Sequence, residues 1–215
     1  MRNFCLLVLL FCEALALGER AMLIVVSEPG DVTYEKEFRR QAKAWQGFAA
    51  RAEMVVKSIG LGEEAGEGDR PSVEKAIAEF PRDGADLWLV WIGHGSFDGR
   101  TANFNLRGPD IDSVAVRKLL QPFTRRLVIF NLFSASHPFL GALSGKDRVI
   151  VSSTRSAGER NYTRFGEKFA DALTATYADL DLDGSLSLLE ATLRAAAGTR
   201  AFYEDAQRVV QEHAV

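Results

Sequence analysis

The chain has 215 residues, of which 47% are hydrophobic and 26% are charged, and its formal net charge is −3 at pH 7. These values are typical of one soluble globular domain with a single sizeable core. The acidic balance and the lack of a long basic run argue against nucleic acid or an anionic membrane surface as the main partner, because both select basic faces.

The N-terminal residues differ from the rest of the chain. Arg2 precedes an unbroken apolar run over residues 4–11, and an Ala-Leu-Ala triplet ends at Ala16. This pattern predicts a secretory signal peptide over residues 1–18 and a secreted or periplasmic mature protein. The alternative is an uncleaved membrane anchor, but spanning a bilayer takes about 20 apolar residues and Glu13 interrupts the run. We therefore expect no stable membrane insertion after cleavage.

Signal cleavage also decides the cysteine chemistry. The two cysteines of the chain, Cys5 and Cys12, both lie inside the predicted signal peptide. The mature protein is therefore expected to have no thiol, no disulfide and no cysteine metal ligand.

Short β-rich runs alternate with helical stretches along the rest of the chain. Apolar runs predict strands near residues 21–27, 53–60, 86–95, 126–136 and 148–156, and helical spacing or capping signals predict helices near 34–52, 71–80 and 110–121. From about residue 162 to the last residue we expect helices on both sides of an Asp-rich loop. Strands that are apolar on both faces and separated by helices indicate a mainly parallel sheet covered on both sides.

The Asp-rich loop at Asp179–Glu190 matches the EF-hand pattern D-x-[DN]-x-[DN]-G-x5-E at every fixed position. Calcium prefers six to eight oxygen ligands, and the pattern supplies them at regular intervals. The expected ligands are the carboxylates of Asp179, Asp181 and Asp183, the backbone carbonyl of Ser185, a water held by Ser187 and two oxygens of Glu190, with Gly184 at the sharp turn.

The sequence on either side of this loop predicts flanking helices, with residues 165–178 entering and residues 186–198 leaving. Together they form an EF-hand-type helix-loop-helix that binds one Ca²⁺. Extracellular loops of this type bind calcium at about 10⁻⁴–10⁻³ M, so we expect a structural ion. The alternative is a solvated acidic turn that caps the following helix.

Two strand ends carry residues with catalytic chemistry. Ile92–Gly95 reads Ile-Gly-His-Gly, and Ile129–Ser136 reads Ile-Phe-Asn-Leu-Phe-Ser-Ala-Ser. This pair of elements resembles the caspase-like cysteine peptidases, and most closely the legumain family. In that family a His-Gly pair ends one parallel strand and the nucleophilic cysteine follows the next. The resemblance covers roughly residues 22–170 and implies a three-layer α/β sandwich.

The resemblance implies a role for three positions. His94 matches the general base, Gly95 matches the residue whose backbone N–H helps to form the oxyanion hole, and Phe133 falls at the cysteine. Phe133 can neither ionise nor attack a carbonyl carbon, so the chain is expected to be inactive as a cysteine peptidase.

A serine nucleophile is the alternative. Ser134 or Ser136 could attack a substrate if the imidazole of His94 accepted its proton and an oxyanion hole were present. No Asp or Glu is clearly placed to orient His94, although Asp98 is near in sequence. A further histidine, His137, is expected in a loop with a structural role.

The sequence thus predicts three segments: a signal peptide (residues 1–18), a caspase-like α/β domain (residues 19–170) and a helical EF-hand-type extension packed on it (residues 171–215). The first hypothesis for function is a non-catalytic domain that binds a peptide or protein in the old substrate cleft, because ligands of open α/β sheets gather at the carboxyl ends of the strands. The second hypothesis is an active serine-type hydrolase.

Overall fold

The computed structural model describes residues 19–62, 68–175 and 178–215, so the predicted signal peptide lies outside the described residues. The strands of the described part are β1 (Ala21–Val26), β2 (Val55–Ile59), β3 (Leu87–Gly93), β4 (Gly95–Phe97), β5 (Ala102–Phe104), β6 (Ile111–Asp112), β7 (Leu127–Phe133) and β8 (Arg148–Ser152). Its helices are α1 (Val32–Arg51), α2 (Arg70–Glu79), α3 (Ser113–Leu120), α4 (His137–Leu143), α5 (Phe165–Thr174) and α6 (Leu188–Asp205).

The centre of the molecule is a five-stranded parallel sheet with the strand order β2-β1-β3-β7-β8. Every residue of β1, β3 and β7 is buried, whereas β2 and β8 at the two edges are partly exposed. Central strands that are covered on both faces read as continuous apolar runs, which is why the sequence pattern identified them. The predicted α/β class and parallel sheet are confirmed.

Helices cover both faces of this sheet and divide the core in two. Residues of α1, α5 and α6 pack with one set of strand side chains, and residues of α2, α3 and α4 pack with the alternate set. Helix α1 illustrates how the sequence determines such a helix. Asp31 caps its N-terminus by accepting the N–H of Thr33 at 2.7 Å. Its buried face contains Phe38, Ala42, Trp45 and Ala49, at the spacing that predicted the helix.

A second, three-stranded antiparallel sheet (β4-β5-β6) is inserted between β3 and α3. The sequence analysis missed it because its strands are only two or three residues long, too short to show an alternating pattern. Strand β4 starts at Gly95, immediately after His94. The small sheet therefore begins at the candidate site.

Two expectations for the C-terminal half were wrong. His137 opens helix α4, with proline in its first turn, instead of lying in a loop. Proline is well accommodated in the first turn of a helix, where its missing N–H costs no hydrogen bond. The terminal helix ends at Asp205, and residues 208–215 contain no helix.

The expected domain boundary at residue 170 lies within α5, and α5 packs against both α1 and α6. Helix α5 ends at Thr174, short of the acidic loop, and residues 176 and 177 lie outside the described part. No helix in the described part of the chain is long and apolar enough to cross a bilayer.

Candidate functional site

The candidate site lies where β3 ends and β4 begins. Gly93 has a φ of +134°, and a Cβ atom at this position would collide with the side chain of Ser27. The hydroxyl of Ser27, at the end of neighbouring β1, accepts the backbone N–H of His94 at 2.8 Å. Glycine is therefore required here for both its conformation and its size. The contact fixes the direction in which the chain leaves the sheet.

The imidazole of His94 lies in an aromatic environment. Its ring centroid is 4.7 Å from that of Tyr34, 5.1 Å from that of Phe38 and 5.8 Å from that of Tyr162, and each contact is edge-to-face. Burial by these rings lowers the pKa of His94, and a hydrogen bond to the backbone of Pro29 opposes this in part.

Because proline has no N–H, a ring nitrogen of His94 must donate to the carbonyl oxygen of Pro29. The other nitrogen of a neutral imidazole then carries a lone pair. The ring of His94 is thus oriented, favoured in its neutral form, and chemically able to accept a proton.

Gly95 and Ser134 meet across the ends of β3 and β7. The backbone N–H of Gly95 donates to the hydroxyl of Ser134 at 3.1 Å, and this hydroxyl donates to the carbonyl oxygen of Gly95 at 2.9 Å. Ser134 is 2% exposed. The one proton of the hydroxyl and one of its two lone pairs are thus used by the backbone of Gly95. The bond that would activate Ser134, a donation from its hydroxyl to His94, is not formed.

Phe133 lies on the opposite side of the sheet from the ring of His94. Its side chain is fully buried against Phe104 and Phe139, at ring centroid distances of 5.0 Å each, in the core beneath α2, α3 and α4. The ring of His94 packs instead on Phe38 of α1, which belongs to the other core. The residue that faces the backbone of Gly95 with a polar side chain is Ser134, one position later.

The remaining candidates have structural partners. The hydroxyl of Ser136 lies 2.8 Å from that of Ser152 and 3.1 Å from that of Thr154, inside the core. Asp98 accepts the N–H groups of Arg100 and Thr101 at 2.7 Å and so closes the turn between β4 and β5. Neither of these side chains forms a bond that orients His94.

The acidic loop brings three carboxylates together. One oxygen from each of Asp179, Asp181 and Asp183 lies within 4.8 Å of the other two. The N–H of Gly184, which has a φ of +86°, donates to Asp179 at 2.9 Å. A hydrogen bond from the backbone N–H of Asp183 stabilises the ionised form of Asp181 and by itself lowers its pKa. Burial and the negative charges of Asp183, Glu190 and Asp179 outweigh this bond, so the pKa of Asp181 is raised overall. Such a group of exposed oxygens fits a hard cation.

Glu190 connects this loop to α6. Its Oε1 accepts the N–H of Leu180 at 2.6 Å, and its Oε2 accepts the N–H of Ser187 at 2.8 Å, which completes a capping box with the hydroxyl of Ser187. Hydrogen bonds from Ser187, and then from the N–H groups of Leu180 and Asp181, lower the pKa of Glu190 to about 2. The predicted calcium ligand is therefore also the cap of α6.

Comparison with known proteins supports the fold. The Drosophila initiator caspase Dronc superposes with a TM-score of 0.52 at 11% identity, covering 84% of this chain and 72% of Dronc. The caspase drICE superposes with a TM-score of 0.51 at 11% identity, covering 92% of this chain and 87% of drICE. The fold is caspase-like. At these identities the similarity is one of architecture.

A third solved structure, protein GSU0716 from Geobacter sulfurreducens, is 16% identical with a TM-score of 0.42. The match covers 54% of this chain and spans half the length of that protein. No family model matches the chain, and a search of curated proteins found no significant match.

The sequence analysis found His94 and Gly95 but missed the residues that hold them. Tyr34 lies on α1, Pro29 on the loop after β1, and Tyr162 on the loop after β8. Pro29 acts through a backbone carbonyl, which leaves no mark on the sequence. The ring of Tyr34 stands one helical turn before Phe38, and this spacing was the one available signal.

Proposed function

We propose that this protein is a legumain-like, catalytically inactive relative of the caspase-like peptidases that binds a peptide at the carboxyl edge of its sheet. The observation that carries the proposal is the pairing of Ser134 with Gly95. A serine whose proton is held by a backbone carbonyl is not activated by His94. Phe133, at the sequence position where the resemblance expects the thiol, is buried in the core on the other side of the sheet from His94, and the described residues include no cysteine.

The small sheet supports a peptide as the ligand. Strand β4 is an edge strand of that sheet, paired with β5 on one side. Edge strands present backbone N–H and C=O groups that an extended peptide can pair with. The N–H and C=O of Gly95 are bonded to the hydroxyl of Ser134, so a peptide that pairs with β4 at Gly95 would have to displace that hydroxyl. Because β4 begins next to His94, such a peptide would pass the imidazole and its aromatic neighbours. A neutral, oriented imidazole can accept a hydrogen bond from the peptide backbone.

The second candidate function, a serine-type hydrolase, is favoured by another aspect of the contact between Ser134 and Gly95, the closeness of a hydroxyl to a backbone N–H. The hydroxyl of Ser134 lies beside the N–H of Gly95, and a nucleophile needs an oxyanion donor close by. Catalysis would then require the hydroxyl to exchange the carbonyl of Gly95 for the imidazole of His94 when substrate binds.

Labelling with a fluorophosphonate probe separates the two functions. We expect no labelling of the mature protein, and the same result for His94→Ala. Labelling at Ser134 that His94→Ala abolishes would establish the hydrolase.

Peptide binding is tested by NMR. A mixture of end-blocked tetrapeptides is titrated into isotopically labelled protein that has not been treated with the probe. The amide signals of Gly95 and Phe97 should shift, whereas those of Leu143 in α4 should not. No shift at β4 at millimolar peptide would contradict the binding function.

The acidic loop supports a further proposal, that the protein binds one structural Ca²⁺. Asp179, Asp181 and Asp183 would supply the first ligands, together with the carbonyl of Ser185. The carboxylate of Glu190, which accepts backbone N–H groups in the structure, would have to turn towards the ion to complete the shell. The convergence of the three Asp side chains supports this. An ion there would connect the loop to the start of α6.

The N-terminal sequence pattern supports export of the protein, with removal of residues 1–18. Millimolar calcium, which a weak extracellular site needs, is consistent with that location.

A further inference from the structure

The C-terminal tail, residues 207–215, folds back over the loop that follows β8. Glu212 is 3% exposed and accepts the N–H groups of Arg164 and Phe165 at 2.7 and 3.0 Å, which caps the start of α5. Val215 exchanges two backbone hydrogen bonds with Ser152 of β8, at 2.7 and 2.9 Å. The tail is thus attached at both ends of the loop.

Glu159 lies at the middle of this loop and contacts the tail through its side chain. Its Oε1 lies 2.8 Å from Nδ1 of His213, and its Oε2 accepts the backbone N–H of His213 at 3.1 Å. The same oxygen accepts the N–H of Arg155 at 3.1 Å. The side chain of Glu159 is 14% exposed, so the bonds to His213 are shielded from much of the solvent.

The backbone of Glu159 contacts the candidate site. Its carbonyl oxygen accepts the N–H of Ala135 at 2.8 Å. Ala135 directly follows Ser134 and has a φ of +55°, a left-handed conformation that is unfavourable for a residue with a Cβ atom. The hydrogen bond to Glu159 stabilises this turn. Three residues further along the loop, Tyr162 packs against the ring of His94.

We infer that Glu159 is a positioning residue, which couples docking of the tail to the geometry of the site through Ala135 on one side and Tyr162 on the other. When His213 binds the side chain of Glu159, the loop is held in place and both contacts are maintained. When the tail is released, the turn at Ala135 loses its support. This inference rests on the proposed function for the assignment of a ligand to the site, but the coupling itself is a property of the free protein.

The test compares Glu159→Gln and His213→Ala with the wild type by amide hydrogen exchange and NMR. Both variants should accelerate exchange of the Ala135 amide roughly tenfold, because a charge-assisted hydrogen bond that resists local opening is lost. The ring signals of His94 should shift as well. His213→Gln keeps a side-chain donor and should restore most of the protection. Val209→Ala, at an exposed tail residue, is the matched control and should change neither readout.

Unchanged Ala135 exchange and His94 signals in folded Glu159→Gln and His213→Ala would overturn the inference, as would equal changes in Val209→Ala. If His213→Ala fails to fold, the comparison of Glu159→Gln with His213→Gln decides in the same way. Neither readout requires a ligand. A failure here is therefore distinguishable from a failure of peptide binding.

Discussion

The hydroxyl oxygen of Ser134 lies 3.1 Å from the backbone nitrogen of Gly95 and 2.9 Å from its carbonyl oxygen. Ser134→Ala removes both hydrogen bonds and leaves a buried backbone N–H without its partner. We expect a loss of about 1–3 kcal/mol in the free energy of unfolding, measured in urea. Ser96→Ala, at a half-buried position in β4, should stay within about 0.5 kcal/mol. Wild-type stability of Ser134→Ala would show that the hydroxyl does not hold the two strand ends together.

Gly95 should tolerate no side chain. A Cβ atom there would collide with the carbonyl oxygen of Ser134 and the ring of Phe133, and backbone cannot move aside cheaply. Gly95→Ala should therefore lower the melting temperature by several degrees, as expected for overpacking that costs about 1–3 kcal/mol.

The matched control for this variant is Gly141→Ala in α4, where a Cβ atom meets nothing within 4 Å. It should be neutral, or stabilise by up to about 1 kcal/mol. Calorimetry of both variants checks the pair. Equal melting temperatures of Gly95→Ala and the wild type would mean that the strand ends are more loosely packed than described.

His94 should titrate below the ordinary value of 6.5, because burial disfavours the imidazolium. Between that value and the native pKa, the unfolded chain binds more protons than the native one. The contribution of His94 to stability is therefore present above pH 6.5 and is lost as pH falls through the native pKa. NMR titration of the ring measures this pKa, and His94→Gln should remove this part of the pH dependence. Tyr34→Ala should raise the pKa by exposing the ring, and a pKa at or above 6.5 in the wild type would contradict the aromatic enclosure.

Calcium should stabilise the fold modestly. At millimolar calcium and a dissociation constant of about 10⁻⁴–10⁻³ M, binding adds about 0.4–1.4 kcal/mol to the free energy of unfolding, or a few degrees in melting temperature. Asp183→Ala should abolish the response. Asp147→Asn, at an exposed carboxylate outside the loop, should keep it. Identical melting in calcium and in chelator, with no heat of binding, would refute the calcium site.

Mature protein isolated from its native host should begin near Leu17 or Glu19. Mass spectrometry of the intact protein measures this directly. Recovery of Met1 on a membrane-bound form would refute the signal peptide and return two cysteines to the chemistry of the protein.

The sequence predicted the sheet well because its central strands are buried on both faces and therefore appear as long apolar runs. Leu87–Gly93 and Leu127–Phe133 are wholly buried, and their apolar runs, interrupted in β7 by Asn131, are easy to recognise. The strands β4 to β6 and the helix at His137 were missed because each is short. The chain was expected to be helical up to its last residue, but Glu212 and His213 bind to the segment after β8 instead. Such tertiary contacts override local helix propensity.

At the site, the sequence predicted which residues are present but not the directions in which their side chains point. His94 and Gly95 were identified from a two-residue motif at a strand end, and the structure places them there. The sequence could not show that the polar group at Gly95 belongs to Ser134 while Phe133 turns into the core. A shift of one residue along a strand reverses the face to which a side chain points, and the resemblance does not fix the register that closely.

The all-parallel sheet has a consequence for how the molecule folds. Each strand pairs with partners that are separated from it by a helix or a longer insertion, so every ladder closes a long loop before it gains any contact energy. Topologies of this kind fold slowly and expose unpaired strand edges on the way. His94 follows β3 and Ser134 follows β7, so the two residues come together only when the chain segment between these strands has closed into a loop. The chain therefore cannot assemble its site as a local unit, and the site should appear in the same kinetic step as the sheet itself.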